Sequence, residues 1–371
     1  MTATVSHHVY EARIDRVRSV MAARGIDALL LSVGHDLPYL AGYHAMPLER
    51  LTMFVLPRDG HASLIIPKLE APRVVEMPSV FSLLPWGETE DPVALTHKCL
   101  GAAQKIAVGD QMWARFLVEL LAVRPGATYV RAQQVMSALR ATKDQAEIDA
   151  LIAVGAAADR VAMQLQSGDI PLLGRTEAQV SADISARLIA EGHDKVNFAI
   201  VAAGENAASP HHHPGSRIIQ RDEIVLCDFG GTMNGYCSDI TRCVYLGDIP
   251  TDVADAYAVL KTAQATGVSS AVVGQTCESV DARTRAVIEQ AGYGDYFVHR
   301  TGHGIGMEEH EDPYMVSGNT EIIAAGHAFS VEPGIYIPGK WGMRLEDIVV
   351  ATDAGPLPMN KVNHDLVAIH A

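Results

Sequence analysis

Two aspartates in the segment 224–246 form the strongest chemical pattern of the sequence. An Asn-Gly dipeptide at the centre of this segment is a type I′ turn signal between two β-like runs, which predicts a hairpin with a two-residue loop. In that register Asp228 lies opposite Thr241, and Asp239 shares their face of the sheet. The flanking residues are apolar, so the two carboxylates would repel each other and be poorly solvated. A bound cation would resolve both problems, although a solvated hairpin face that carries two aspartates explains this segment alone equally well.

A histidine-rich segment, HRTGHGIGMEEHE (299–311), supplies three candidate ligands or proton carriers, His299, His303 and His310. Its alternating glycines disfavour a helix, so the segment is not a helical metal-binding HExxH arrangement. Without a following lysine or a helix start, the glycines give only weak support for a phosphate loop. They are better interpreted as positions where the backbone approaches a site closely. The segment 210–217 (PHHHPGSR) adds three more histidines, of which two are expected to be ordinary surface residues.

Two glutamates lie in apolar, strand-like segments, where an unpaired carboxylate is costly. Glu332 ends the run FSVEP (329–333), and Glu346 lies within MRLEDIVV (343–350), which is predicted to be a strand. Arg344 is two residues from Glu346 and therefore on the same face of that strand. It is predicted either to pair with Glu346 or to orient it as a metal ligand.

Two Asp, two Glu and several His together form an oxygen-rich set of candidate ligands. Such a set suits Mn²⁺, Co²⁺ or Fe²⁺ better than a thiolate-type zinc site. Two divalent ions about 3.5–4 Å apart can share a water, lower its pKa and polarise a carbonyl. The predicted chemistry is therefore hydrolysis.

The segments that must position these groups fall into two parts, with a boundary predicted after residue 135. The first part is predicted to be a small α/β domain with helices at 9–24 and near 112–123 and strands at 27–33, 51–57, 61–67 and 128–130. The second part is predicted to be α+β, with helices at 144–166, 176–191, 251–270 and 278–291 and β-rich segments at 196–202, 223–231, 235–246 and 328–350.

Composition excludes several classes of partner. The chain of 371 residues has 44 acidic and 29 basic residues and a net charge of −15, which argues against nucleic acid and against an anionic membrane surface. No apolar run reaches the ~18 residues of a transmembrane helix, and no signal peptide is expected. Five cysteines without C-x-x-C spacing favour free thiols in a reducing compartment, so a cytoplasmic location is predicted.

Four motifs, CDFGGTMNGYCSDITR, HRTGHGIGMEEHE, SVEPGIY and RLED, occur in an order and spacing that resemble the pita-bread metallopeptidases. This family includes aminopeptidase P, prolidase (Xaa-Pro dipeptidase), methionine aminopeptidase and creatinase. The resemblance implies an α+β pita-bread catalytic domain at 136–371 and a creatinase/prolidase-like N-terminal domain at 1–135. It also implies a homodimer that hydrolyses Xaa-Pro bonds of short peptides with a metal-bridging water. Each subunit would hold two divalent ions, Mn²⁺ first, with Co²⁺, Fe²⁺ or Zn²⁺ also accepted.

The resemblance implies a role for each matching ligand. Asp228 would bind one ion bidentately, and Asp239 and Glu346 would bridge the two ions. His303 and Glu332 would bind the second ion, and Glu332 would also shuttle the proton of the bridging water.

The remaining matches concern the substrate and the support of the ligands. His310 would stabilise the tetrahedral intermediate or bind the substrate carbonyl, and His211 would contact the substrate. His299 would line the pocket on the proline side. Thr241 and Arg344 would support the metal ligands from outside.

The sequence departs from the prolidase pattern at one position. In several prolidases an arginine shortly after the second histidine binds the carboxylate of the C-terminal proline, but the segment 310–329 contains neither Arg nor Lys. Tyr314 occupies that position and is predicted to contact the substrate. Arg50 is predicted to supply the missing contact from the partner subunit, and a surface arginine before a strand is an equally good interpretation. Two alternatives stay open: hydrolysis or lysis of an ectoine- or creatine-like small molecule on the same fold, and, more weakly, a non-catalytic binding protein.

Overall fold

The computed structural model of the chain describes residues 7–370 and divides into two units between Arg140 and Ala141. This division follows from contacts within each unit, and the domain limits predicted from the sequence, 1–135 and 136–371, stay a prediction. Among the described residues, no helix is both long enough and apolar enough to cross a membrane.

The first unit is built on a six-stranded mixed sheet with the order β4-β3-β2-β1-β5-β6. Its strands are Ala28–Leu31 (β1), Met53–Pro57 (β2), Ala62–Pro67 (β3), Phe81–Trp86 (β4), Lys105–Val108 (β5) and Thr128–Arg131 (β6). Its helices are His7–Arg24 (α1), Asp36–Ala41 (α2), Pro92–Cys99 (α3), Ala114–Val123 (α4) and Gln133–Ala141 (α5), which ends at the division. Apolar residues of the strands pack against α3 and α4, as the sequence predicts for a small α/β domain.

The second unit contains four long helices and three sheets. The helices are Gln145–Gln166 (α6), Glu177–Ala190 (α7), Thr251–Ser270 (α8) and Cys277–Gln290 (α9). The strands are Lys195–Ala203 (β7), Glu223–Met233 (β8), Tyr236–Cys237 (β9), Ile240–Leu246 (β10), Gly302–Gly304 (β11), Glu311–Met315 (β12), Ala328–Val331 (β13), Gly334–Ile337 (β14), Trp341–Arg344 (β15), Asp347–Thr352 (β16), Gly355–Pro358 (β17) and Val367–Ile369 (β18). The sheet orders are β18-β10-β8-β7 with β9 beside β8, β12-β11-β13-β16-β17, and β14-β15. Short 3₁₀ turns lie at Ala71–Arg73, Gly204–Ala208 and Gly294–Tyr296.

Side-chain alternation along β8 decides which face carries chemistry. Val225, Cys227 and Phe229 pack against apolar residues of α6 and α7, whereas Leu226 packs in a second core with α8. Because successive side chains of a strand point to opposite faces, Asp228 lies on the face of Leu226, away from α6 and α7. The core formed with α6 and α7 therefore packs on one face of the sheet, and the Asp228 carboxylate lies on the other face.

The structure corrects one predicted strand. The segment 343–350, predicted to be one strand, is divided between the end of β15 and the start of β16, while the longer segment 328–350 is β-rich as predicted. Glu346 was expected inside a strand, but it lies in the break between β15 and β16, where it bridges to Thr241. The break frees the Glu346 backbone from the ladder of its own sheet and lets it pair with the hairpin instead.

Candidate metal centre

The β8–β10 hairpin positions the first two carboxylates. Asn234 and Gly235 both have positive φ angles, 51° and 84°, as a type I′ turn requires. Asp228 lies opposite Thr241, so the predicted register is confirmed. Asp239 lies in the short break between β9 and β10, and both aspartates are buried.

Gly230 allows the two arms of this hairpin to approach each other. A Cβ at this position would lie 2.1 Å from the carbonyl oxygen of Ser238 and 2.9 Å from the ring of Phe198. Only glycine fits this close approach without displacing the backbone. The backbone next to Asp239 therefore depends on the absence of a side chain at position 230.

Three buried side chains meet at one point. Asp239, His303 and Glu346 each offer a ligand atom, and these atoms all lie within 4.8 Å of one another. Glu332 joins them, because its Oε1 lies 3.2 Å from His303 Nε2, while Asp239 Oδ2 lies 3.6 Å from the same nitrogen. Residues from four separate segments of the sequence thus converge on a single imidazole nitrogen.

Burial and mutual repulsion oppose ionisation of these carboxyl groups. Burial raises the pKa of Asp239 well above its usual range, and the charges of Glu346 and Asp228 raise it further. Burial likewise raises the pKa of Glu346 well above its usual range, with Glu332 as the next contributor. Burial raises the pKa of Glu332 to about 7. A divalent cation at this point would replace the protons and relieve the repulsion.

Two polar atoms test whether a metal fits here. Asp228 Oδ1 is buried and accepts no hydrogen bond from any described residue, which is costly for a carboxylate oxygen unless a ligand completes it. His303 Nδ1 lies 3.2 Å from the carbonyl oxygen of Gly304, so Nδ1 donates the hydrogen bond and Nε2 keeps its lone pair toward the carboxylates. Carboxylate oxygens with one imidazole nitrogen suit a divalent cation. The residues present therefore fit a metal centre.

Arg344 holds the carboxylates from one side. Its guanidinium donates to Asp228 Oδ2 at 2.5 Å, to the Tyr336 hydroxyl at 2.8 Å and to Thr241 Oγ1 at 3.0 Å. The Thr241 hydroxyl in turn donates to Glu346 Oε2 at 2.6 Å. Each of these groups is buried, so one hydrogen-bonded network orients two of the predicted metal ligands.

A cavity of about 530 Å³ opens onto the centre. All five predicted metal ligands line it, with Arg344 and with His211, His299 and His310. Phe198, Ile200 and Pro210 supply an apolar part of the wall. The cavity therefore combines a charged floor with an apolar side, as small-ligand sites commonly do.

Three histidines of the cavity, His299, His303 and His310, have lowered pKa values and are neutral near pH 7. Burial lowers the pKa of His303 well below its usual range, and His310 lowers it further, since the two ring centroids are 4.0 Å apart. Partial burial lowers the pKa of His310 as well. Burial lowers the pKa of His299 to about 4, and this ring is fixed by hydrogen bonds to the Tyr336 hydroxyl and the Arg300 carbonyl.

Two predicted substrate contacts do not line this cavity. Tyr314 lies beneath Arg300, whose guanidinium carbon is 4.4 Å from the centre of the tyrosine ring. Arg50 belongs to the first unit, where its Nε donates to Glu88 Oε1 at 3.1 Å. Its contact with a partner subunit stays a prediction.

Sequence reasoning missed three residues of the site. Arg300 and Glu309 line the cavity, and Tyr336 joins His299 to Arg344. Arg300 carried a usable signal, because a single basic residue directly follows a candidate site histidine. Tyr336 carried none, since its contacts depend on how the β14–β15 hairpin packs.

Comparisons with known proteins agree with this geometry. The description "Metallopeptidase family M24" matches residues 115–353, and the creatinase/prolidase N-terminal domain matches residues 13–142. A relative from Mycobacterium tuberculosis (strain ATCC 25618 / H37Rv), named "Probable dipeptidase PepE", is 41% identical over 366 residues and 97% of either sequence is covered.

Solved structures of peptidases have the same fold as this chain. The dipeptidase PepE from Mycobacterium ulcerans has a TM-score of 0.94 at 41% identity, with both chains covered completely. The recombinant prolidase from Thermococcus sibiricus has a TM-score of 0.91 at 32% identity, covering 97% of this chain and 99% of that one. The predicted α+β pita-bread fold is therefore confirmed. With the cluster of acidic and histidine ligands, these findings show that the chain belongs to metallopeptidase family M24 and is a metal-dependent peptidase.

Proposed function

We propose that this peptidase hydrolyses Xaa-Pro bonds in dipeptides or at the N-termini of short peptides with two divalent ions and a water that bridges them. The observation that carries the proposal is the convergence of four carboxylates and one neutral imidazole on the floor of a single cavity. Two of the similar proteins are named as a dipeptidase and a prolidase, which supports the substrate class.

The assignment of ligands follows the family resemblance, and the donors of the structure support it. Asp228 has one buried oxygen without a partner among the described residues, and it would bind one ion. Asp239 and Glu346 would bind both ions, while His303 and Glu332 would bind the second; ligand atoms of Asp239, Glu346 and His303 lie within 4.8 Å of one another. When bound, the ions would acidify the shared water and polarise the scissile carbonyl. Mn²⁺ is proposed as the metal, because oxygen donors dominate the set.

The protein side chains supply the remaining steps. Glu332, whose Oε1 accepts from the Ser330 hydroxyl at 2.9 Å, is fixed to take the proton of the nucleophile and return it to the leaving nitrogen. His310, whose ring is tilted against that of His303, is neutral and would donate a hydrogen bond to the carbonyl oxygen as negative charge develops there. His211, which also lines the cavity, would contact the substrate.

The apolar side of the cavity supports the proline preference. His299 packs edge-on against Phe297 and tilts against Tyr336, with ring centroids 5.2 Å and 5.4 Å apart. Being neutral and held on both nitrogens, His299 presents a rigid flat surface. Together with Phe198 and Ile200 it would enclose a pyrrolidine ring and exclude water from it.

The test of this proposal is turnover after chelation and metal addition. Xaa-Pro dipeptides, matched Xaa-Ala dipeptides and Xaa-Pro tripeptides should be compared with Mn²⁺ added to the metal-free enzyme. We expect activity to return with Mn²⁺ and to favour proline after the scissile bond. Equal turnover of Xaa-Ala substrates would refute the proline preference, and turnover only of a creatine-like small molecule would refute peptide hydrolysis.

The number of ions has a separate test. Asp239→Ala removes a proposed bridging ligand, so it should abolish both metal uptake and turnover. Ser238→Ala is a matched control beside it, because the Ser238 hydroxyl bonds to His193 and Gly231 rather than to the metal ligands. Elemental analysis that finds two ions per Asp239→Ala subunit would contradict the assignment.

We also propose a cytoplasmic homodimer. The five cysteines are all free, which supports a reducing compartment. The dimer rests on the family resemblance, and sedimentation of the metal-loaded protein tests it; a monomer at micromolar concentration would contradict it.

A further inference from the structure

Two arginines line the cavity, Arg344 and Arg300, and they differ in their hydrogen bonds to the described residues. Arg344 is buried and donates to Asp228, Thr241 and Tyr336. Arg300 is half-buried, and its guanidinium makes no hydrogen bond or ion pair with any described residue. A cation that lines a substrate cavity without an anionic partner is a candidate for binding an anion of the substrate.

The backbone around Arg300 is fixed on both sides. Arg285 Nη2 donates to the His299 carbonyl oxygen at 2.8 Å, and the Thr301 amide donates to Asp281 Oδ1 at 2.9 Å. His299 Nδ1 lies 2.8 Å from the carbonyl oxygen of Arg300 itself. The side chain therefore projects from a rigid segment, and little backbone entropy is lost when it binds a ligand.

Tyr314 fixes the plane of the guanidinium. The guanidinium carbon lies 4.4 Å from the centre of the Tyr314 ring, within the range of a cation–π contact. Such a contact occupies one face of the planar group, but its N–H donors point outward along the edge. Those donors stay free to bind the two oxygens of a carboxylate side by side.

We propose that Arg300, supported by Tyr314, binds the free α-carboxylate of the substrate and makes this enzyme selective for dipeptides. The proposal rests on the proposed peptide hydrolysis, and it names the group that limits the peptide's length. Only a dipeptide places its carboxylate one residue beyond the scissile bond. The sequence predicted this contact from Arg50 of the partner subunit, whereas Arg300 lines the cavity of its own chain.

The experiment compares a dipeptide with its C-terminal carboxamide. The best dipeptide substrate of the wild type and its amide are assayed with Mn²⁺-loaded wild type, Arg300→Met and Arg300→Lys. We expect Arg300→Met to lower kcat/KM for the free acid about 10- to 100-fold, mainly through KM, while kcat/KM for the amide changes little. Arg300→Lys keeps the charge but loses the planar fork, so its preference for the acid should be intermediate.

Two further variants separate binding of the carboxylate from general effects. Arg283→Met removes an exposed arginine that donates to Gln275 Oε1 at 3.2 Å, and it should keep the wild-type ratio of acid to amide. Tyr314→Phe should also keep that ratio because the ring remains, whereas Tyr314→Leu should lower it. Circular dichroism and metal content for each variant show that fold and centre are intact.

Five outcomes decide the proposal. Loss of the acid preference in Arg300→Met, with partial rescue in Arg300→Lys, supports it. Unchanged kcat/KM of Arg300→Met for both substrates overturns it while peptide hydrolysis stands. An equal loss of kcat/KM for acid and amide also overturns it, and would assign Arg300 to the charge balance of the centre. A lost preference in Arg50→Ala but not in Arg300→Met overturns it in favour of the partner arginine. Failure of the wild type to cleave either substrate overturns both this proposal and the proposed function.

Discussion

Replacing Glu332 by glutamine should change how the stability of the metal-free enzyme depends on pH. In the folded, metal-free chain, burial raises the pKa of Glu332 to about 7 from its ordinary 4.5. The folded state therefore holds a proton that the unfolded state releases between these two values. Because the folded state binds more protons, the free energy of unfolding falls as the pH rises through this window. Glutamine does not titrate, so Glu332→Gln lacks this contribution.

The magnitude follows from the difference between the two pKa values. A difference of one pKa unit corresponds to about 1.4 kcal/mol, so the wild type should lose about 3 kcal/mol relative to Glu332→Gln between pH 4.5 and pH 7. For a unit of this size, that corresponds to roughly 6–12 °C in Tm. The buried histidines act in the opposite sense, because the lowered pKa of His299 and His303 adds stability as pH rises. They are present in both proteins and cancel in the difference.

The assay is thermal unfolding of both proteins with a chelator at pH values from 4.5 to 8. We expect the Tm of wild type minus that of Glu332→Gln to decrease steadily up to about pH 7 and then level off. Saturating Mn²⁺ at pH 7.5 should raise the Tm of the wild type more than that of Glu332→Gln, because the wild type gains more stability from the bound metal. A difference that is independent of pH, or that rises with pH, would refute the assignment of a buried, protonated Glu332.

Two further substitutions test how the centre is positioned. Gly230→Ala should lower Tm and metal content together, because its Cβ would lie 2.1 Å from a main-chain oxygen. Gly126→Ala is its control and should leave the metal content unchanged, because a Cβ at position 126 would have no neighbouring atom within 4 Å among the described residues. Glu177→Gln should lower kcat/KM about tenfold with unchanged metal content, since the buried Glu177 carboxylate accepts four hydrogen bonds that hold the loop carrying His211. Glu205→Gln, an exposed carboxylate of the same loop, is its control, and equal kinetics of the two variants would contradict the positioning role.

Local signals predicted the parts of the fold that local interactions determine. The Asn-Gly turn set the register of β8 and β10, and Asp228 lies opposite Thr241 as expected. Helix α8 has the predicted limits, Thr251–Ser270, and the glycines of 299–311 form a short strand instead of a helix. In each case the determining interaction joins residues close in sequence, so spacing alone carries the information.

Contacts between distant segments could not be predicted in this way. Arg344 bonds to Asp228 across 116 positions of sequence, although spacing placed it only beside Glu346. The strand expected around Glu346 is interrupted, because bonding to the hairpin competes with continuation of its own sheet. Arg300 had a sequence signal, its place directly after His299, but its lack of an anionic partner among the described residues depends on the packing of its neighbours and could not be predicted.

The network around Arg344 balances charge within the centre and orients its ligands. Four carboxyl groups in one buried cluster cannot all be ionised, and the raised pKa values of Asp239 and Glu346 keep protons on them. Arg344 offsets the charge of Asp228 and, through Thr241, holds Glu346 in place. A metal ion that binds here would therefore replace protons at a site whose ligands are already oriented by hydrogen bonds. We therefore expect metal binding to release protons and chelation to lower the stability of the enzyme.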